Sequence, residues 1–328
     1  MPGEVLLACT GILGFENASE GWLGLPVKQE KRRERSSFLK SKRMLLLVAV
    51  LAVIVLIAVF VLPNMRGSFH DVAIARVSPS SQAVPQGLNI DVTVVVRNQG
   101  TFAESFNMDA SVPFNGTSKV FSKYVTSLAA GAEQSVEFVW TTAGLALGDY
   151  RLNMTVGQVA NETDLADNSF SVVLTLSNKV RLVTSMGNVT VELFSDMPVT
   201  TSNFKRLAWS KVYDGTIFHR VVKDFVVQGG DPTGTGTGDS NIPAIPDEFT
   251  DHNRNDRGTV AMANKGPNTG SSQFFINLVN NNHLDSKHPV FGHVTAGMDV
   301  VDAIGNVAVD SNSRPLNEVK LTRVEFVK

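Results

Sequence analysis

The sequence predicts a mainly β protein, with two β-rich folded units that follow a single membrane-spanning helix. Three observations support this prediction. The chain has 328 residues, which is about twice the usual length of one domain. Short runs in which apolar and polar residues alternate recur from about residue 70 onward, and this period of two is typical of strands. A run without any charged residue, 44–62, precedes them.

Composition and charge exclude several classes of protein. Hydrophobic residues make up 43% of the chain and charged residues 18%, so an intrinsically disordered chain is excluded. The formal net charge is −2, whereas a nucleic-acid binder normally carries a strongly basic face. We therefore expect no nucleic-acid partner. The single cysteine, Cys9, excludes an intrachain disulfide and a cysteine-based zinc site.

The run 44–62 reads MLLLVAVLAVIVLIAVFVL and predicts a transmembrane helix. At 1.5 Å per residue it spans roughly 28 Å, close to the ~30 Å thickness of the hydrocarbon core. Pro63 ends the run. A cleaved signal peptide is the alternative, but its apolar region is only about 7 to 15 residues long, and no small-x-small cleavage site lies directly after Val59. We expect membrane lipid to surround 44–62.

Basic residues are concentrated before this run. Eight lysines and arginines lie between Lys28 and Arg43, whereas the stretch after the run offers only Arg66 and Arg76. Because positive residues stay on the cytoplasmic side, residues 1–43 are expected to be a cytoplasmic tail and the chain beyond the run to be extracytoplasmic. The position beside a membrane span also explains these charges better than nucleic-acid binding does. The prediction is a single-pass protein of the cell membrane.

Residues 70–177 predict an immunoglobulin-like β-sandwich. Alternation is clear in 91–97 (DVTVVVR), 135–140 (SVEFVW) and 169–176 (SFSVVLTL). About seven such strands in roughly 105 residues, separated by turn signals, suit two packed antiparallel sheets. The domain resembles the CARDB family of Ig-like modules on prokaryotic surface proteins, in stretches such as VVVRNQGTFAES and ETDLADNSF. Its acidic residues lack the spacing of a dedicated calcium loop, so no calcium site is expected. We expect a spacer or a module that binds surface proteins.

A different pattern begins at Val180. A strand is expected at 188–194, and Pro198 predicts the start of a helix that ends at Trp209, because proline at the first helical position loses no hydrogen bond. A second short helix is expected at 298–304. Between the two helices the chain is rich in glycine, asparagine, glutamine and phenylalanine, and it offers no nucleophile with an adjacent base.

Three stretches of this region carry a family resemblance: 213–231 (YDGTIFHRVVKDFVVQGGD), 260–276 (VAMANKGPNTGSSQFFI) and 284–293 (LDSKHPVFGH). In order and spacing they resemble the signature stretches of cyclophilins, the peptidyl-prolyl cis/trans isomerases, and the resemblance covers residues 179–328. It implies an eight-stranded antiparallel barrel capped by two helices, with an active groove on the outer face of the barrel. It also implies catalysis without a cofactor, because nothing is oxidised, transferred or hydrolysed.

The resemblance implies roles for a set of residues. Arg220 would be the catalytic donor to the prolyl nitrogen, and His219 would support the groove. Four residues would form the wall of a proline pocket at whose edge His288 lies: Phe225, Met262, Phe275 and Leu284. The backbone of the substrate would be bound by Gln228, Ala263, Asn264 and Gln273. Many eukaryotic cyclophilins have tryptophan where this chain has His283, which predicts weaker binding of the inhibitor cyclosporin.

Taken singly, these residues have simpler interpretations. The apolar ones are ordinary core residues, and Arg220 alone would fit a surface ion pair. His283 and His288 offer two ligands for zinc but no third, so no metal site is expected. The glycines of 234–238 lack the Lys-Ser/Thr ending of a phosphate loop and predict a flexible connection.

The joint order of the motifs favours a membrane-anchored peptidyl-prolyl isomerase whose clients are proline-containing exported or surface polypeptides. Two alternatives from other classes stay open. One is a non-catalytic reader of proline-containing peptides, which would bind peptides without accelerating their isomerisation. The other is a surface adhesion protein, whose phenotype would depend on 70–177 and not on Arg220.

Overall fold

The structure, a computed structural model, describes residues 44, 46–56, 67–78, 81–114 and 116–328. Residues 44 and 46–56 form a helix, α1. The remainder of the expected span 44–62, like the expected tail 1–43, lies outside the described residues. In the part of the chain that is described, no helix combines the length and the hydrophobicity that a membrane crossing requires. Residues Ser68–Lys328 form one compact unit.

The described residues of the middle domain form eight strands: β1 (Val72–Val77), β2 (Ala83–Pro85), β3 (Asn89–Asn98), β4 (Glu104–Phe114), β5 (Thr117–Leu128), β6 (Glu133–Thr141), β7 (Gly148–Val156) and β8 (Ser169–Ser177). They form two sheets, with the strand orders β1-β3-β6 and β2-β8-β7-β4-β5. Among the described strands of this domain, the pair of β2 and β8 is the one parallel pair. The two sheets agree with the predicted sandwich. The additional strand is β2, whose three residues are too few to show alternation in the sequence.

Alternation places one side of each strand in a shared core. In β3, Ile90 and Val92 are buried while Asp91 between them is exposed. The largest side chain of this core is Trp140, which is fully buried. Its indole N–H donates to the backbone oxygen of Pro113 (3.0 Å), so the one polar atom of the ring is satisfied and its burial adds hydrophobic stabilisation without an unpaired donor.

The C-terminal domain has nine strands: β9 (Lys179–Thr184), β10 (Gly187–Leu193), β11 (Thr216–Ile217), β12 (Arg220–Val222), β13 (Val226–Gly229), β14 (Thr259–Met262), β15 (Phe274–Asn277), β16 (Val290–Ala296) and β17 (Lys320–Val327). They form one sheet in the order β11-β17-β9-β10-β16-β14-β15-β13-β12. The two edge strands are consecutive in the chain, and Ile217 forms a bridge with Asp231 beyond β13. The sheet therefore curls until its edges approach each other.

Two helices, α2 (Pro198–Trp209) and α3 (Met298–Gly305), accompany this sheet, together with a 3-10 turn at Asn282–Leu284. Both helices lie where the sequence predicts them, and α2 has its proline in the first turn. The sheet has nine strands rather than the expected eight. The difference arises because Phe218 and His219 interrupt what would otherwise be one strand from 216 to 222.

An aromatic cluster fixes α2 against the sheet. The ring of Phe204 lies 5.0 Å from that of Tyr213, 5.5 Å from that of Phe274 and 5.2 Å from that of Phe291, measured between centroids. All four side chains are fully buried. Because Phe274 and Phe291 belong to β15 and β16, this packing also holds the central strands of the sheet in place.

The two domains meet at an interdomain joint formed by Gln86, Asn178, Lys205 and Trp209. Nζ of Lys205 on α2 donates to the backbone oxygen of Gln86 (3.1 Å) and to the side-chain oxygen of Asn178. Trp209 packs against the hydrophobic cores of both domains. Burial lowers the pKa of Lys205 to about 8, because a desolvated ammonium loses its charge more readily.

Candidate active site

One row of paired residues crosses the C-terminal sheet from its edge. Arg220 of β12 pairs with Gln228 of β13, and Gln228 pairs with Phe275 of β15. Phe275 in turn pairs with Ala261 of β14. Residues directly opposite in an antiparallel pair project to the same face, so these side chains share one face. The neighbouring positions along the strands, such as Val227, belong to the C-terminal core, and the row therefore lies on the face away from that core.

Arg220 is half-buried at the edge of the sheet. Its Nη1 donates to Oε1 of Gln228 (3.2 Å), and its Cζ lies 5.9 Å from the centroid of the Phe225 ring. Among the described residues, Gln228 is the one side chain that accepts a hydrogen bond from this guanidinium. Most of its five N–H donors are therefore available to a bound ligand.

A small apolar cluster, which we call the slot, occupies the same face of the sheet. Its buried members are Val226, Ala261, Phe275 and Val290. Partly buried side chains pack around them, and those of the predicted site are Phe225, Ala263 and Leu284. Because this rim is not fully covered, the slot offers an apolar surface that a ligand can reach.

Met262 does not belong to the slot, although the sequence predicted it in the pocket wall. It pairs with Phe274, so its side chain projects to the core face, where it is 1% exposed and packs in the C-terminal core. Val226 takes its place, because it stands two residues before Gln228 and shares the face of that residue. A valine in a strand carries no sequence signal of its own, and only the register of β13 shows to which face it points.

Two glutamines connect Arg220 with the interior of the site. Gln228 is bonded to Arg220 and donates from Nε2 to Oε1 of Gln273 (2.9 Å). The backbone oxygen of Gln273 accepts the N–H of Ala263 (3.0 Å). The side chain of Asn264 donates to the backbone oxygen of Lys287 (2.7 Å). The four residues predicted to bind the substrate backbone are thus held beside the slot by hydrogen bonds.

Two histidines lie against the phenylalanines of the site. The exposed ring of His283 stacks on Phe225, with 6.0 Å between centroids and 16° between planes. His288 meets Phe275 edge to face at 5.3 Å and 81°, and its Nδ1 lies 3.0 Å from the backbone oxygen of Met262. Burial lowers the pKa of His288, so the ring is neutral at neutral pH. Both rings therefore extend the aromatic surface around the slot.

His219 lies apart from the slot. It is 7% exposed, and within the described part of the chain neither ring nitrogen has a hydrogen-bond partner. Burial lowers the pKa of His219, although the negative charge of Asp231 partly opposes the shift. A Cβ atom on Gly236 would come within 3.2 Å of its ring, so His219 packs beneath the loop that contains Gly236. Its place is consistent with a supporting role.

Comparisons with known proteins find similarity in both domains. Residues 179–326 match the family model for cyclophilin type peptidyl-prolyl cis-trans isomerase/CLD, and residues 71–172 match the model for CARDB. A peptidyl-prolyl cis-trans isomerase of Arabidopsis thaliana is 46% identical over 153 residues, which cover 45% of this chain and 93% of that protein. One from Schizosaccharomyces pombe is 46% identical over 150 residues, which cover 44% of this chain and 96% of that protein.

A solved structure of a cyclophilin type peptidyl-prolyl cis-trans isomerase from Cryptosporidium parvum is 34% identical, with a TM-score of 0.44, and covers 46% of this chain and 98% of its own. Both resemblances that the sequence predicted are confirmed by the family models. The Arabidopsis relative is matched over nearly its whole length. The chain therefore belongs to the cyclophilin family of peptidyl-prolyl cis-trans isomerases, and a CARDB domain precedes its isomerase domain.

Proposed function

We propose that this isomerase is anchored in a membrane, that it acts on X-Pro bonds of exported or surface polypeptides, and that Arg220 is its catalytic residue. The observation that carries the catalytic part is the position of the Arg220 guanidinium. It is held by Gln228 at 3.2 Å beside an apolar slot, and most of its donors stay available. A proline ring in that slot would bring its nitrogen close to a fixed cation.

Rotation about an X-Pro bond is slow because the amide has partial double-bond character, which produces a barrier of about 18–20 kcal/mol. No covalent bond has to break. In the twisted transition state the lone pair of the prolyl nitrogen is no longer shared with the carbonyl, so the nitrogen becomes pyramidal and accepts a hydrogen bond. An enzyme accelerates the rotation by binding this twisted state more tightly than either planar isomer.

Arg220 supplies the donor for that nitrogen. A guanidinium stays charged at any physiological pH, and a hydrogen bond from a charged donor is about twice as strong as a neutral one. The slot holds the proline ring and excludes water, which strengthens the bond further. Gln228, Ala263 and Asn264 bind the backbone on one side of the reacting bond, so that the other side is free to rotate.

The size of the effect can be divided between these groups. Raising a rate of roughly 0.01 per second to roughly 1000 per second requires about 7 kcal/mol of preference for the transition state. One fixed donor supplies about 3–4 kcal/mol, by analogy with oxyanion donors. The remainder has to come from orientation of the bound peptide and from exclusion of water. The slot and the glutamines are therefore as necessary as the arginine.

The membrane anchor is supported by the uncharged run 44–62 and by the basic residues before it. The large side chains of α1 are exposed, from 49% at Val50 to 69% at Leu46. A contiguous apolar surface of this kind normally contacts lipid or another protein. An isomerase on the outer side of the membrane would meet chains that refold after export, for which prolyl isomerisation is a slow step.

The catalytic part is tested by Arg220→Ala in the full chain, with a proline-peptide exchange assay. We expect kcat/KM to fall about 10²- to 10³-fold, as for removal of an oxyanion donor, while the melting temperature stays unchanged. Arg181→Ala is the matched control, because Arg181 is a half-buried arginine of the same domain that lies 3.7 Å from Glu325. A parental rate in Arg220→Ala would show that this guanidinium is not the donor.

The anchor is tested by placing charges in α1. The pair Leu51→Arg and Val53→Arg is expected to release the protein from membrane vesicles, since each arginine at a span centre costs about 2.5–3.5 kcal/mol. Leu51→Ala with Val53→Ala should stay bound. In intact cells, external protease should digest 68–328 and leave 28–43 protected. Digestion of 28–43 alone would show that the orientation is the opposite of the one proposed.

A further inference from the structure

The loop after β13, residues 231–239, is ordered around one buried carboxylate. Asp231 is 0% exposed. Its Oδ1 accepts hydrogen bonds from the backbone N–H and from the hydroxyl of Thr233 (both 2.9 Å). Its Oδ2 accepts the backbone N–H groups of Gly236 (2.7 Å) and Gly238 (3.0 Å). The sequence predicted a flexible connection here. That prediction was wrong, because these four hydrogen bonds to one side chain hold the loop in place.

The glycine spacing of this loop has a structural reason. Gly236 and Gly238 have φ angles of +84° and +83°, a conformation that side-chain-bearing residues rarely adopt. Left-handed positions of this kind allow several backbone N–H groups to converge on one anion. In this loop the anion is the carboxylate of Asp231, which belongs to the chain itself.

The same carboxylate begins a chain of hydrogen bonds that ends at Arg220. Nε2 of Gln273 lies 3.4 Å from Oδ2 of Asp231 and 3.2 Å from the backbone oxygen of Gly236. Oε1 of Gln273 accepts Nε2 of Gln228 (2.9 Å). Oε1 of Gln228 accepts Nη1 of Arg220 (3.2 Å). Two amides therefore connect a buried anion with the guanidinium.

The two ends of this chain determine the direction of both amides. A carboxylate only accepts hydrogen bonds, and a guanidinium only donates them. Gln273 must therefore turn its NH₂ group toward Asp231 and its oxygen toward Gln228, and Gln228 must turn its oxygen toward Arg220. If either amide were reversed, two donors or two acceptors would face each other. A residue at 231 that also donates would weaken this constraint and leave it to the backbone oxygen of Gly236, 3.2 Å from Nε2 of Gln273.

We infer that Asp231 is a positioning residue of the isomerase, which fixes the orientation of Gln273 and Gln228 and, through them, the guanidinium of Arg220. This inference rests on the proposed role of Arg220 as the donor. Two side chains separate Asp231 from Arg220, so Asp231 affects only the position of the Arg220 guanidinium and does not contact the substrate. Geometry matters because a displacement of about 1 Å in a catalytic group costs up to ~100-fold in rate.

The test is Asp231→Asn in the full chain. Asparagine keeps the shape of the side chain but replaces one acceptor by a donor, so it can no longer accept from both sides of the loop. We expect kcat to fall about 10- to 100-fold, while KM for a proline peptide changes by less than about threefold, because the slot is intact. The Nε–H resonance of Arg220 in an NMR spectrum is expected to shift or broaden.

Thr233→Val is the matched control. It removes the hydroxyl bond to Oδ1 of Asp231 but leaves in place the bond that Nε2 of Gln273 donates to Oδ2, so kcat should stay within about twofold of the parent. A parental kcat in Asp231→Asn would overturn the inference. An equal loss of activity in Thr233→Val would also overturn it, because the loop in general and not the amide chain would then be responsible.

A second measurement covers the case in which Asp231→Asn does not fold. In the unmutated protein, the side-chain NH₂ groups of Gln228 and Gln273 should each give one pair of resonances that exchanges slowly with solvent. Averaged or doubled resonances would contradict a fixed direction. Arg220→Ala separates this inference from the proposed function. If Arg220→Ala is inactive and Asp231→Asn is fully active, only the positioning role fails, whereas an active Arg220→Ala removes the basis of both.

Discussion

The cation of the active groove and the cation of the interdomain joint are placed in opposite ways. Arg220 is half-buried and makes one hydrogen bond, to Gln228, among the described residues. Lys205 is 4% exposed, and it donates to Gln86 and Asn178. One group keeps its donors for a ligand, and the other uses them to connect two domains.

The pKa of Lys205 shows the energetic effect of burying its ammonium group. Burial lowers it to about 8, so the ammonium is desolvated and its two acceptors compensate only in part. A guanidinium resists such a change because its charge is delocalised over the whole group. A catalytic cation that works beside an apolar slot is therefore better provided by arginine, whereas lysine serves at a joint that does not need a permanent charge.

The largest predicted effect that follows from this comparison is a pH dependence of stability at the joint. Because the folded pKa of Lys205 is about 8 and an unfolded lysine has a pKa near 10.4, the unfolded chain holds more protons between these values. Stability must then rise with pH in this window. Between pH 7 and pH 10.5, the free energy of unfolding of the unmutated protein is expected to rise relative to that of Lys205→Met by up to ~3 kcal/mol.

Chemical denaturation of the full chain at pH 7, 8, 9, 10 and 10.5 measures this gain. Lys320→Met is the control, because Lys320 is exposed and lies 3.9 Å from Glu318. Its unfolding free energy should follow the parent curve at a constant offset. A constant offset in Lys205→Met as well would mean that Lys205 keeps an ordinary pKa and is not desolvated by the joint.

The next effect concerns the groove. Arg220→Lys keeps the charge but loses the planar group with several donors, so the bond to Gln228 and a bond to the prolyl nitrogen can no longer form in one fixed geometry. We expect kcat/KM to fall by about tenfold, or ~1.4 kcal/mol. The reciprocal exchange, Lys205→Arg, should leave kcat/KM within about twofold, since the two sites share no partner. A larger loss in Lys205→Arg than in Arg220→Lys would show that the joint controls catalysis.

Much of the groove was predictable from sequence, because its motifs fix residue identities at positions whose pairing is short-range. Arg220 and Gln228 flank one turn and face each other across β12 and β13. The prediction placed Met262 in the pocket wall and missed Val226, because their faces depend on the register of β14 and β13 against β15, which no local pattern contains. The order of the 231–239 loop was also missed. A glycine-rich stretch suggests a flexible loop, and the sequence does not show that the backbone N–H groups of these glycines bind the carboxylate of Asp231.

The joint was not predictable at all. From the sequence of α2, Lys205 would be interpreted as an ordinary solvent-facing lysine of an amphipathic helix, and Trp209 would be interpreted as the last residue of its apolar side. In the structure Lys205 is buried, and it contacts Gln86 from the other domain and Asn178 from the connection. Contacts between separately folded sheets depend on how those sheets meet, and no periodicity along the chain records that arrangement.

The smallest effect lies at the rim of the groove. His283 is exposed and stacks on Phe225 at 6.0 Å, and an aromatic pair of this kind contributes about 0.5–1.5 kcal/mol, toward the low end when it is exposed. His283→Ala should therefore raise KM for a proline peptide by about two- to threefold, or ~0.5 kcal/mol, with no change in kcat. His283→Trp should lower KM and strengthen cyclosporin binding, because it restores the larger ring.

The proline-peptide exchange assay measures KM and kcat, and titration calorimetry measures the affinities for a proline peptide and for cyclosporin. His252→Ala is the matched control, since His252 is also exposed and meets Phe194 edge to face at 5.9 Å, yet it is not one of the groove residues. It should leave both affinities unchanged. If His283→Ala lowered kcat instead of raising KM, the rim would act on the twisted state itself, and the division between a binding rim and a catalytic cation would have to be abandoned.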